Sequence, residues 1–129
     1  MTPVLSIGRL RRSRAGTTAL EFALLALPFF TLVLGVVEFS RLVWTQTAMQ
    51  FAVEKAARCA AVNTTLCGSS DQIQQYALSQ MLAPGVSATS FTYTTPGCGK
   101  NVAATTVFSL NVPGMSSSLT LTAQSCYPA

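Results

Sequence analysis

The chain predicts an α+β fold. A long N-terminal helix crosses a membrane and runs on into a small disulfide-bonded head, which holds a short second helix and a three-stranded antiparallel sheet. Three observations predict this. The run Thr17 to Val37 is apolar and carries one charge, Glu21. Beyond Val37 an apolar period of three and four residues continues, without glycine or proline, to about Val62. Past Ala83-Pro84-Gly85, β-branched and aromatic residues alternate with polar ones.

Bulk properties bound the choice. At 129 residues the chain holds at most one ordinary domain plus an anchor. Half of it is apolar and 9% is charged, which is too apolar for disorder. The net charge of +4 comes from Arg9, Arg11, Arg12 and Arg14; after Gly16, Arg41, Lys55, Arg58 and Lys100 balance Glu21, Glu38, Glu54 and Asp71. A basic N-flank of this kind sets membrane topology, and no basic patch interleaved with aromatics points to nucleic acid. There is no histidine, no paired-carboxylate site, no phosphate-cradling loop and no CxxC pair. The sequence therefore predicts no enzyme, no metal and no cofactor.

The membrane segment comes first. Twenty-one helical residues span about 31 Å, enough for a hydrocarbon core. Glu21 costs about 2–3 kcal/mol at mid-membrane and less near the end, well below the gain from the leucines, phenylalanines and valines around it. The arginines place the N-terminus in the cytoplasm, and Trp44 suits the outer interface. The run ends in VVEFSRLVW, which offers no small-x-small cleavage site, and Cys59 lies too far downstream for a lipid anchor. The run is expected to persist, with any processing on its cytoplasmic side.

Gly16 is the candidate for that cut. It lacks a side chain, so a protease approaches its carbonyl closely and the backbone extends readily. Cleavage there removes the leader arginines and creates an ammonium on Thr17. Thr17 and Glu21 are four residues apart on one helix face, so that ammonium and the carboxylate can neutralise each other, within a chain or between neighbours.

The stretch RAGTTALEF resembles the processing site of type IV pilins and pseudopilins, which have a basic leader, a glycine before the cut and a glutamate at the fifth mature position. Gly16, Glu21 and Phe22 fall on those positions. The longer stretch RRSRAGTTALEFALLALPFFTLVLGVVEFSR is similar to the TadE family of minor pseudopilins of tight-adherence (Flp) systems. Phe22 departs from the tyrosine frequent in Flp proteins but keeps the ring. The chain is also longer than a major Flp pilin. The resemblance covers the first third and implies a pilin-like fold and cleavage by a prepilin peptidase between Gly16 and Thr17. It also implies partnership with other pilin or pseudopilin subunits and a pilus assembly platform at the bacterial inner membrane. Glu21, with Phe22, is expected to register one subunit against the next. Pilus biogenesis, adhesion and secretion are the implied roles. The alternatives are an uncleaved, signal-anchored periplasmic binding module and an assembly factor that never enters a filament.

The remaining elements follow in order. Pro28 leaves the carbonyl near Leu24 without its helical donor. After Val37, Phe39, Leu42, Val43, Ala48, Met49, Ala52, Val53, Ala56, Ala57 and Ala60 form the apolar stripe, with Glu38–Arg41 and Glu54–Arg58 at pairing distance. NTTLCGSS breaks the helix. A second helix is expected at about Asp71–Leu82, capped by Ser69 or Ser70, with Ser69 and Gln72 as a capping box and Ile73, Tyr76, Ala77 and Leu82 as its apolar side. Strands are expected in SATSFTYTT, AATTVFSLNV and SLTLTAQS, separated by turns at Pro96-Gly97 and Pro113-Gly114. Four cysteines allow three pairings, and the sequence does not choose among them. The local one, Cys59–Cys67 with Cys98–Cys126, is preferred because each bridge nests within its own elements. The expected organisation is a leader at 1–16, a membrane segment at 17–37, its extracytoplasmic continuation at 38–62 and a head at 63–129.

Overall fold

The computed structural model describes residues 15–112 and 114–128. The leader arginines and Pro113 lie outside the described residues. The order is α1 (Ala15–Val62), α2 (Ser70–Gln80), a 3-10 turn (Ala88–Ser90), β1 (Phe91–Thr94), β2 (Lys100–Val112) and β3 (Met115–Tyr127). This is the expected α+β architecture. The chain divides into two compact units, Met1–Val36 and Val37–Ala129.

In the first unit, the described residues from Gly16 are all helical, with their large apolar side chains exposed. Thr31 Oγ1 donates to the carbonyls of Leu27 (3.0 Å) and Pro28 (2.9 Å), so its hydroxyl is satisfied within the helix, as a lipid surrounding requires.

The second unit is built around the outer part of α1. Thr45, Met49, Ala52, Val53, Ala56 and Ala60 make the buried stripe. Its residues are mostly small, which lets a sheet lie close. Ile73 and Ala77 of α2, Phe91 of β1, Val102 and Ala104 of β2, and Leu121 and Ala123 of β3 complete the core. The strands alternate as predicted, with Phe91, Val102, Ala104, Leu121 and Ala123 buried and Thr92, Thr105, Thr122 and Gln124 exposed; Val107 is an apolar residue on the exposed face. Sheet order is β1-β2-β3, all antiparallel, in register from Phe91↔Ala104 and from Lys100↔Tyr127 to Val112↔Met115. Gln46 Nε2 donates to the Thr122 carbonyl (2.8 Å) and Gln50 Nε2 to that of Gln124 (3.4 Å). These bonds occupy acceptors on the outer edge of β3.

The connections follow local chemistry. Ser69 Oγ accepts from Gln72 N (3.3 Å) while Gln72 Oε1 accepts from Ser69 N (3.2 Å), the reciprocal box predicted for α2. Gly68 is required beside it, because a Cβ there would run into the Thr64 carbonyl. Gly114 takes φ 86°, the left-handed backbone that closes the β2–β3 hairpin. The disulfides are Cys59–Cys67 and Cys98–Cys126, with Cα separations of 5.8 and 6.3 Å. One pins the end of α1 to its loop and the other ties the β1–β2 turn to the end of β3.

Some expectations fail at the margins. Phe39 and Val43 are exposed, because their helical row lies outside the buried stripe, on the flank that reaches β3 at Gln46 and Gln50. Leu82 lies past the end of α2 and is also exposed. Glu38 and Arg41 do pair, at 2.9 Å, whereas Glu54 and Arg58 do not; Lys55 instead sits 5.3 Å from the Phe51 ring centroid.

Candidate functional site

The residues singled out by sequence lie together in the first two turns of α1. Gly16, Thr17, Glu21 and Phe22 are all exposed, Phe22 to 73%. Four residues separate Thr17 from Glu21, which sets both on one face of the helix. Around them Leu20, Leu24, Leu25 and Leu27 are open as well.

One feature differs from the sequence reading. Gly16 is helical, whereas a cut after Gly16 calls for extended backbone.

The described residues contain no group of His, Cys, Asp or Glu arranged for a metal ion, and all four cysteines are in disulfides. α1 is the one described helix long and apolar enough to cross a membrane; its most apolar window has a mean hydropathy of 2.3 and none of it is buried.

Sequence reasoning paired Glu38 with Arg41 but missed the burial of Glu38. Arg41 Nη1 donates to its Oε1 at 2.9 Å, and its Oε2 is buried without a hydrogen-bond partner. Its side chain is only 14% exposed. The signal was available, since at 100° per residue Glu38 falls on the centre line of the stripe through Thr45, Met49, Ala52 and Ala56.

The exposed apolar helix fits single-pass membrane anchoring, with a small disulfide-bonded head beyond it. A family model described as TadE-like protein matches residues 16–58, about a third of the chain. The match opens at Gly16 and includes Thr17, Glu21 and Phe22, and it supports a TadE-like protein of the tight-adherence system. That family is pilus-associated and is not a family of enzymes. No curated protein and no solved structure matches the chain.

Proposed function

We propose that the chain is a minor pseudopilin of a tight-adherence pilus. It sits in the bacterial inner membrane with its N-terminus in the cytoplasm and its head in the periplasm. A prepilin peptidase cuts between Gly16 and Thr17. The mature chain then joins other pilin subunits through the exposed apolar face of α1, with the assembly platform as a further partner. The observation that carries this reading is the spacing of Gly16, Thr17 and Glu21 at the start of a helix whose most apolar window is entirely unburied.

The chemistry follows from dielectric. A carboxylate in hydrocarbon is costly alone, and a cation beside it recovers much of that cost. Cleavage supplies that cation on Thr17. When subunits pack side by side, the neighbour's Thr17 ammonium meets Glu21 at one axial offset, and other offsets leave the charge unpaired. Phe22 packs beside that contact. The pair therefore selects a register, and the leucines and phenylalanines provide the packing surface.

Mass spectrometry of the protein from its native host tests the cut. A chain beginning at Thr17 is expected, and one retaining Met1–Gly16 would refute the reading. A Glu21→Ala chain tests registration separately. It should insert and be processed, yet be missing from sheared filaments. Normal incorporation would end the registration role while leaving processing intact.

A further inference from the structure

The final eight residues of β2, Thr105–Val112, and the opening eight of β3, Met115–Thr122, pair with each other beyond the reach of β1. This two-stranded arm has no charged side chain. Cross-strand partners share a face, so Phe108 with Leu119, Leu110 with Ser117 and Val112 with Met115 extend the core side of the sheet. That apolar side outruns the core: Met115 is 70% exposed.

The direction of the arm is set by its contacts. Gln46 and Gln50 hold Thr122 and Gln124, and Arg41 lies 5.8 Å from the centroid of Phe108, which pairs with Leu119. Moving toward the tip is thus moving back along α1 toward Val37. The burial of Glu38, on the centre line of the sheet-facing stripe, agrees with this. From Arg41 to Val37 the helix falls about 6 Å. From Leu119 to Met115 the strand runs about 13 Å. The tip therefore reaches the level of Val37 at any inclination to the helix below about 60°.

Charge is distributed to match. Glu54, Lys55 and Arg58 stand on later turns of α1, Asp71 opens α2 and Lys100 opens β2, all away from the tip. Glu38 and Arg41, beside the arm, are paired with each other. The tip end of this unit is the uncharged end, and Val37 is where the apolar run of α1 stops.

The geometry points to the arm tip, through Leu110, Val112 and Met115, as a second membrane contact, seated in the interface of the leaflet where α1 emerges. This rests on the single-pass anchoring of α1. The contact is shallow, because the arm's outer edges carry backbone groups without strand partners, which only the hydrated interface can satisfy. Having no charge, it does not read anionic headgroups. It braces the head against the bilayer surface before any assembly.

Full-length chains with one tryptophan test this in phosphatidylcholine vesicles containing brominated lipid. Trp44 is the sole native tryptophan, so each chain carries Trp44→Phe plus one addition. Met115→Trp reports the tip, Tyr127→Trp the opposite end of β3 and Leu25→Trp the apolar helix. Met115→Trp should show blue-shifted emission and at least about twofold more quenching than Tyr127→Trp, unchanged by added anionic lipid or salt. Quenching at Met115→Trp equal to that at Tyr127→Trp, with Leu25→Trp strongly quenched, overturns the arm contact and leaves the anchor standing. If Leu25→Trp is also unquenched, the anchor itself fails, and the arm contact with it. A blue shift at Met115→Trp that resists bromine and grows with protein-to-lipid ratio assigns the tip to a second copy and likewise overturns the proposal.

Discussion

The two parts of α1 obey opposite rules. From Thr17 to Val36 the large side chains point outward and the helix has no core to join. From Val37 to Val62 the inward side chains are mostly alanine, and the sheet lies against them. Leucine and phenylalanine dominate where the helix is exposed. Alanine dominates where a second layer must approach. One continuous helix therefore changes composition where its packing changes.

The sharpest way to break this comparison is a matched pair of truncations. Phe91 is fully buried in the second unit, so Phe91→Ala should cost the head about 3–5 kcal/mol, a large share of its stability. Leu25→Ala should leave head stability within about 0.5 kcal/mol, because its side chain meets nothing in that core. Urea titration of the full chain in detergent, followed by Trp44 emission, measures both. A large effect at Leu25 would show that the first segment supports the head.

The disulfides come next. The Cys98–Cys126 bridge closes a 28-residue separation and the Cys59–Cys67 bridge one of 8. Loop-closure entropy assigns them about 3.5 and about 2.5 kcal/mol. Replacing each pair by alanines should reproduce that order in the urea midpoints, and the reverse order would locate the weak point of the head at the end of α1. Smaller still is the α2 cap, where Ser69→Ala should cost about 1 kcal/mol through loss of the bond to Gln72. At the arm, Gly114→Ala places a side chain at positive φ and should cost about 1 kcal/mol. Hydrogen exchange should show that loss in the arm, Thr105–Thr122, and not in the Phe91 core.

Much of the fold was legible. The helix end near Val62, the Ser69–Gln72 box, the three strands and the sheet's polar outer face each rest on interactions a few residues apart. The candidate site rests on the same kind of signal: Gly16, Thr17, Glu21 and Phe22 lie within seven residues, and the reading of them rests on their spacing. Phe39, Val43 and Leu82 were misjudged because period alone does not say how wide a face the sheet covers. The burial of Glu38 was missed because a carboxylate reads as exposed until the packing around it is known.

The sequence by itself determined where the chain turns from membrane to head, which residues cap and punctuate it, and where the acid stands in the apolar helix. All of these are set by nearest neighbours and by transfer from water. Tertiary structure alone decided that β1 reaches no further along β2 than Ala104, leaving a two-stranded arm, and that Glu38 is buried. Those outcomes depend on register and strand direction, which arise from packing between segments tens of residues apart and leave no local trace.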